Sequence, residues 1–511
     1  MTRPAPSFRT LLETAGVPLA GPYPATGGDV HVTGVGSDSR LVGAGELFVV
    51  IPGTRDDGAR YIGDAVARGA GALVVPSSAR PAAEASGLPF ATTEDPRGAL
   101  AALAAGFHGH PSKSMQVIAA TGTNGKTTTA HIVRAVMEQA GRGPCALLGT
   151  ISYEWPGHSE PAKNTTPGAA ELQAALARAR DAGCRAVSME ASSHALHQRR
   201  AEGIRFAAGI FTNLTGDHLD YHRTMDAYAD AKALLFRGLD EDAVAAVSAE
   251  DPWTPTMVRG CRARVVRYGL DAPSLPEVTA RDVRMTSDGL DFKLVTPWGE
   301  APVRSTLLGR YNLMNLLAAA AATAGLGIEP SAVAAGLSSV RGVRGRLEAV
   351  EAGQPYTIVV DYAHSDDAVS NVLRNLRTVV RGRILTVLGC GGDRDRTKRP
   401  RMARAAAELS DLAWFTSDNP RSEDPVRIVD DMLAGVHGAR NVRVETDRAA
   451  AIALAVRDAR VGDCVAILGK GHEDSQIFQD RTIHFDDREA AAEAVRSARL
   501  VSSGCPAGTT R

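Results

Sequence analysis

The order of apolar runs and glycine turns predicts an α/β chain of three domains, and three observations carry this. Before residue 100, short β-rich runs at 47–51 and 72–75 alternate with Gly/Pro turns and one helical stretch at 61–68, which gives a small α/β domain over 1–100. From 101 to 345 the pattern becomes strand, glycine turn, helix. A strand at 116–120 runs through a turn into a helix reaching 137, and strands at 186–190 and 207–211 continue what reads as a central parallel sheet. Residues 243–305 read as shorter strands punctuated by Pro and Gly, and a helix at 313–324 follows. After a Gly/Arg-rich hinge at 341–346, apolar runs at 356–360, 384–388, 412–416 and 464–468 are separated by helical segments, the signature of a second doubly wound sheet and a Rossmann-like domain over 346–511. The length of 511 residues accommodates three domains of about 100–200 residues each. The tail from Ser502 is expected to lack fixed structure.

Charge narrows the function classes. Lys+Arg 57 against Asp+Glu 58 leaves a net charge of -1, so no long-range positive field exists to hold nucleic acid or anionic lipid, and ligands must be chosen by local pockets. No stretch approaches the ~18 apolar residues of a membrane span, and the alanine-rich run 316–322 reads as a buried helix. Cys145, Cys184, Cys261, Cys390, Cys464 and Cys505 are scattered without CxxC or zinc spacing, which reads as reduced thiols in a cytoplasmic protein. The cations are lopsided, with fifty arginines and seven lysines: Lys113, Lys126, Lys163, Lys232, Lys293, Lys398 and Lys470. A retained lysine in such a chain marks a place where an amine or a compact ammonium is needed.

Gly122-Thr-Asn-Gly-Lys-Thr-Thr128 follows a strand and opens a helix, so its backbone N–H groups can converge on a polyphosphate, with Lys126 as point charge and Thr127 as a Mg²⁺ hydroxyl. The glycine of the longer Walker pattern is replaced by Ala120, which leaves the shorter GxxGKT form. A switch GTPase would need Asn-Lys-x-Asp, and none of the seven lysines follows an asparagine, so ATP is favoured.

The remaining motifs extend this reading along the chain. Ser37-Asp-Ser-Arg40, Asn164-Thr-Thr-Pro167, Met189-Glu-Ala-Ser-Ser-His194, Thr212-Asn-Leu, Asp217-His-Leu-Asp220 and Ala231-Lys232 are followed by Asp361-Tyr-Ala-His364, Gly391-Gly-Asp-Arg-Asp395, Asp418-Asn-Pro-Arg421 and Gly469-Lys-Gly-His-Glu473. Together with the phosphate loop they resemble the Mur ligase family over nearly the whole chain, among its diaminopimelate-adding members. The pattern departs at Ser365-Asp366 and at Arg344. The resemblance implies an ATP-dependent amide ligase of peptidoglycan precursor synthesis. Such an enzyme activates the D-Glu γ-carboxylate of UDP-MurNAc-L-Ala-D-Glu as an acyl phosphate and adds diaminopimelate to it. It implies a UDP-MurNAc-binding first domain, an ATP-binding second, an amino-acid-binding third, and a monomer.

Residue by residue, the resemblance implies catalytic roles for Lys126, Glu190, His218 and Lys232, with Thr127, Glu190 and His218 on Mg²⁺ and Lys232 carbamylated to join them. Read alone, Lys232 is an exposed helix lysine. Only a neutral amine can capture CO₂, however, and a guanidinium does not substitute. Gly122, Thr123, Asn124, Gly125, Lys126, Thr127 and Thr128 would cradle ATP; Asn312, Asn315, Arg346, Asp361, Asp393 and Lys398 would hold its far end. Ser37, Ser39, Thr54, Arg55 and Asp56 would contact the uridine diphosphate, and Asn164, Thr165, Thr166, Ser192, Gln198 and Arg200 the muramoyl-dipeptide arm. Arg394, Asp418, Asn419, Pro420, Arg421, Gly469 and Glu473 would line the amino-acid pocket. Diaminopimelate ends in a second amino-acid head, whose carboxylate suits the guanidinium of Arg421, whereas lysine would leave that charge unpaired.

Four alternatives stand beside this reading. Ser192 and His194 invite a serine hydrolase, against which no GxSxG elbow is present. A lysine-adding relative or a folylpolyglutamate synthetase-type ligase would share the ATP chemistry, and a regulatory ATP-binding protein would lack turnover.

Overall fold

The computed structural model describes residues 5–21, 29–53, 58–271 and 275–503. Cys505 and Thr54, Arg55 and Asp56 lie outside the described residues, as does the tail beyond 503.

The chain forms three successive parallel-sheet units. The first is a four-stranded sheet in the order Val35–Gly36, Leu47–Val49, Ala72–Val75, Phe90–Thr92, every pair parallel. Sequence reading gave this region one helical stretch. It holds helices at Phe8–Ala15 and Arg80–Ser86 besides Ile62–Ala67, and Pro96–Phe107 runs through the boundary expected at residue 100. The missed helices are short, eight and seven residues, and only the first carries an apolar stripe, Phe8, Leu11 and Leu12. Ser7 accepts from Thr10 N at one start, and a proline stands in the first turn of Arg80–Ser86.

The central sheet has eight strands, in the order Arg264–Tyr268, Val244–Ser248, Phe206–Phe211, Gln116–Thr121, Ala186–Glu190, Cys145–Leu148, Ser152–Trp155, His158–Pro161. The first six are parallel and the last two antiparallel. Val117, Ile118 and Ala119 are buried on both sides, as a sheet covered on both faces requires. The segment expected to hold shorter strands contains the two longest, Thr279–Thr286 and Gly289–Thr296, which join Gly299–Ser305 in a separate antiparallel sheet. Their alternating burial packs Leu290, Phe292 and Leu294 onto the helix Gly309–Gly325. Residues 316–322 of that helix are completely buried, so its alanines serve close packing.

The third sheet runs Glu348–Ala349, Thr357–Asp361, Cys464–Leu468, Ile384–Cys390, Leu412–Ser417, Val442–Val444, parallel except at its first strand. Its functional loops leave the carboxyl ends of the strands, where doubly wound sheets bind ligands. Ser365 caps the helix Asp366–Arg377 by accepting from Ala368 N, so the departure at 365 is a helix start. Among the described residues no helix is long and apolar enough to cross a membrane.

Candidate active site

The strand Gln116–Thr121 delivers the chain into a turn that Gly122 (φ 149°) and Gly125 (φ 87°) allow, and the helix Lys126–Gln139 starts directly after it. A Cβ on Gly125 would collide with the carboxamide of Asn315. The loop is gripped from behind by Thr212 and Asn213. Thr212 Oγ1 donates to Asn124 O (2.6 Å), Asn124 N donates to Asn213 Oδ1 (3.0 Å), and Thr123 N to Asn213 O (2.8 Å). Lys126 Nζ donates to Gly122 O (2.7 Å) and Thr123 O (2.8 Å).

Lys232, on the helix Met225–Arg237, is 1% exposed, which overturns the surface-lysine reading. Its Nζ donates to the same Gly122 carbonyl (2.8 Å) and lies 4.4 Å from the ring centre of Tyr228. Burial drives its pKa well below the ordinary lysine value, and the charge of Lys126 pushes the same way. Both effects favour the uncharged amine over the ammonium.

Glu190 ends the strand Ala186–Glu190 with its carboxylate buried against the phosphate loop. Oε1 accepts from Thr150 N (2.7 Å); Oε2 accepts from the hydroxyls of Thr127 (3.0 Å) and Thr150 (3.0 Å). His218 sits half-exposed at φ 55° beside Asp217, with Nε2 3.6 Å from Oδ2. Burial lowers its pKa, opposed by Asp217. Among the described residues no three His, Cys, Asp or Glu side chains are grouped as a metal site; of the expected metal set, Thr127 and Glu190 are directly hydrogen-bonded.

The third domain reaches across to the loop. Arg346 lies 5.0 Å from the ring centre of Tyr362 and donates to Thr127 Oγ1 (3.2 Å). Asp367 accepts from Thr215 Oγ1 (2.7 Å) and Asn124 Nδ2 (3.4 Å), and Lys398 Nζ lies 3.8 Å from Asp217. Asn312 and Asn315 face each other, Nδ2 of Asn315 donating to Oδ1 of Asn312 (3.3 Å). Asp361 is buried with both oxygens receiving backbone N–H groups, from Leu347 (2.8 Å) and Ala363 (2.8 Å), and burial raises its pKa. It thereby ties the hinge to the sheet edge. Asp393 is held by Ser422 Oγ (2.6 Å), on the loop that carries Arg421.

Of the acyl-substrate residues, Ser37 is exposed and Ser39 buried just after the strand Val35–Gly36. Thr166 Oγ1 donates to Glu190 O (2.8 Å) and accepts from Ser192 N (3.1 Å), while Arg200 donates to Thr166 O (3.3 Å) and Gln198 Oε1 (2.6 Å). Tyr153 OH donates to Asn164 O (2.5 Å), and the hydroxyls of Thr165 and Thr150 are 3.1 Å apart. Thr166 thus joins Ser192 and Arg200 to Glu190, and Thr165 reaches that residue's carboxylate through Thr150. Ser192 Oγ accepts from Ala195 N as a helix cap, a structural use that the hydrolase reading does not foresee.

The amino-acid residues come together from three loops. Arg421, at φ 54°, donates to Gly392 O (2.7 Å), and a Cβ on Gly391 would meet both Arg421 and Arg394. Asn419 Nδ2 donates to Glu473 Oε2 (2.6 Å), while Pro420 is buried and Gly469 (φ 116°) packs against Asp418. The buried Arg399 locks two of the loops, donating to Gly391 O (3.2 Å), to Glu423 (2.7 and 2.9 Å) and to Asp431 (2.8 Å). Sequence reasoning missed Thr150, Tyr228, Asp367 and Arg399. Thr150, Asp367 and Arg399 lie far in sequence from Glu190, Thr215 and Glu423, and Tyr228, one helical turn before Lys232, reads as an ordinary core aromatic.

Three family models match: "Mur ligase family, catalytic domain" over 31–108, "Mur ligase middle domain" over 120–323 and "Mur ligase, glutamate ligase domain" over 345–471. A UDP-N-acetylmuramoyl-L-alanyl-D-glutamate--2,6-diaminopimelate ligase of Gloeobacter violaceus is 45% identical over 492 residues, 96% of this chain and 97% of that one. The protein of the same name from Synechococcus sp. (strain WH7803) is 45% identical, covering 96% and 99%. A solved structure of a ligase with that name aligns with TM-score 0.69 and 31% identity, covering 97% and 99%. A folylpolyglutamate synthase of Mycobacterium tuberculosis shares the fold, with TM-score 0.59 and 20% identity over 77% of this chain and 93% of that one. With relatives at this identity along nearly its whole length, the chain belongs to the Mur ligase family.

Proposed function

We propose that the protein is an ATP-dependent ligase joining the D-Glu γ-carboxylate of UDP-MurNAc-L-Ala-D-Glu to an amine of diaminopimelate. The observation that carries the reading is the convergence of groups from two domains on one loop. One phosphate loop receives the amines of Lys126 and Lys232 with Glu190 alongside, and the domain bearing Arg421, Asn419 and Glu473 reaches that loop through Asp367 and Arg346. The first domain, 1–100, takes the uridine diphosphate; 101–345 takes ATP; 346–511 takes the amino acid. The protein acts as a cytoplasmic monomer.

In the first step a γ-carboxylate oxygen attacks the γ-phosphorus of ATP, the bond to ADP breaks, and an acyl phosphate forms. Lys126 and the loop N–H groups offset charge on the transferred group, and Asn312, Asn315, Arg346, Asp361 and Lys398 position the nucleotide. The geometry of Asp393 favours holding the Arg421 loop over contact with ribose. Thr166, Ser192 and Arg200 hold the dipeptide arm beside Glu190. In the second step the neutral amine attacks the acyl carbon, phosphate leaves with its oxygen, and the amine gives up a proton. Arg421 pairs with the distal carboxylate, and Asp418 with Glu473 holds the distal ammonium.

The donor set fits Mg²⁺. Glu190 and the hydroxyls of Thr127 and Thr150 are hard oxygens. His218 and a Lys232 carbamate, formed when the neutral amine bonds to CO₂ and sheds a proton, would complete the set. Bound there, Mg²⁺ supplies charge shielding between carboxylate and triphosphate.

The test is phosphate release on mixing ATP, the UDP-dipeptide and an amino-acid panel of lysine, the diaminopimelate isomers and no amino acid. Release that requires both the dipeptide and diaminopimelate is expected. Release indifferent to either would point to a regulatory ATPase, and turnover with a folate and glutamate to the other ligase type.

A further inference from the structure

Lys470 is the most deeply buried lysine of the chain, 0% exposed, just past the strand Cys464–Leu468. An ammonium withdrawn from water is costly unless its three protons find acceptors. Here they do: Ser475 O at 2.5 Å, Asn419 Oδ1 at 3.1 Å and Glu473 Oε2 at 3.5 Å. These acceptors come from two segments, 473–475 and the loop at 419, around a single nitrogen, a geometry for a compact ammonium and not for the planar fork of an arginine. In a chain with fifty arginines and seven lysines, that explains why a lysine stands there.

The contacts fix the orientation of the neighbouring groups. Asn419 Oδ1 is occupied by Lys470 and by Ile477 N (3.0 Å), which turns Nδ2 toward Glu473 Oε2 (2.6 Å). Oε2 of Glu473 thus receives both Asn419 and Lys470, while Oε1 carries no hydrogen bond among the described residues and the side chain stays 30% exposed. One oxygen is tied down and the other is left for a ligand.

We propose that Lys470 is a positioning residue for amino-acid recognition. Without touching substrate, it clamps the Asn419–Glu473 pair so that the free Glu473 oxygen meets the distal ammonium of the incoming amino acid. This rests on the diaminopimelate reading above. The clamp also offsets one of the two pocket carboxylates, Asp418 and Glu473, which would otherwise repel a distal carboxylate approaching Arg421.

The experiment uses the full-length enzyme and steady-state phosphate release. Lys470→Met keeps the chain length and removes the charge. It is expected to raise KM for diaminopimelate about thirtyfold while leaving KM for ATP and for the UDP-dipeptide within about twofold. Because Lys470 acts through Glu473, adding Lys470→Met to Glu473→Gln should cost less than about a further threefold. A penalty that multiplies in full in the double variant, or an equal rise in all three KM values, overturns the proposal and leaves Lys470 with a purely structural role. If Lys470→Met does not yield folded protein, Lys470→Gln, which keeps a donor for Ser475 O, is held to the same criteria. A wild-type enzyme whose phosphate release ignores diaminopimelate would instead sink the substrate reading, before any variant is compared.

Discussion

The phosphate loop and the amino-acid pocket solve the problem of holding a charged ligand in opposite ways. The loop is contiguous, four residues between a strand and a helix whose first turn completes it, and most of what it offers is backbone: N–H groups aimed by two left-handed glycines, with Lys126 and Lys232 converging on one carbonyl. The pocket has no contiguous stretch. It is assembled from loops near 391–395, 418–423 and 469–473, and side-chain charges that are themselves buried, Arg399 and Lys470, keep those loops in register. A backbone cradle recognises a phosphate in any molecule that carries one. A side-chain pocket recognises a particular arrangement of charges, and under the proposed function specificity for the amino acid resides there.

The difference can be broken at the loop with the largest effects. Lys126→Ala removes the point charge and leaves the backbone cradle, so kcat should fall by about a thousandfold or more, with the thermal unfolding midpoint little changed. Activity within tenfold of wild type would show that the backbone alone suffices. Lys232→Arg is next. A guanidinium cannot become a carbamate, and the buried site has no room for a larger cation, so a loss of about a hundredfold is expected in phosphate release. Full activity in that variant would remove the carbamate from the mechanism while leaving the loop reading intact. At the pocket, Arg421→Ala should raise KM for diaminopimelate by about ten- to a hundredfold, with ATP binding, followed by nucleotide fluorescence, unaltered. Equal losses of both would mean that the two regions are not separate sites.

The same contrast explains what could be read from the sequence. The loop was legible because its chemistry is local, and Ala120, Gly122 and Gly125 sit in a strand-turn-helix that needs no tertiary information. Helices such as Arg80–Ser86 escaped notice because their alanines carry no apolar period, and the antiparallel strands from 279 to 305 were underestimated in length because turns interrupt the run. At the pocket only the resemblance could join Arg421 to Glu473, 52 positions apart in sequence. Nothing in composition or spacing shows that Arg399 binds Glu423, or that Thr150 closes over Glu190. Burial was equally invisible, and it is what separates Lys232 and Lys470 from surface lysines. The scarcity of lysine was the one sequence-level trace of it.

The smallest effect tests whether the pocket's scaffold is electrostatic, as the loop's is not. The Arg399 guanidinium, bonded to both oxygens of Glu423, holds that carboxyl down to about 2, from an ordinary 4.5. The folded state thus keeps Glu423 ionised at acidities where the unfolded chain has already taken up a proton. Its contribution to stability is complete above about pH 4.5 and is lost as the pH falls from there toward 2. Glu423→Gln lacks that contribution at every pH. At pH 6 the variant should therefore melt a few degrees below wild type, about 2–4 °C, and the gap between the two should close as both are titrated below 4.5. Asp431, also bonded to Arg399, which helps to hold its carboxyl below the usual range, is present in both proteins, so the difference between them reports on Glu423. A gap that stays constant with pH would mean that the carboxamide loses only packing, and that the two loops are held by shape instead of charge. In the phosphate loop the amines of Lys126 and Lys232 donate to backbone carbonyls and to no carboxylate, so Lys126→Ala should leave the acid limb of the melting profile unchanged.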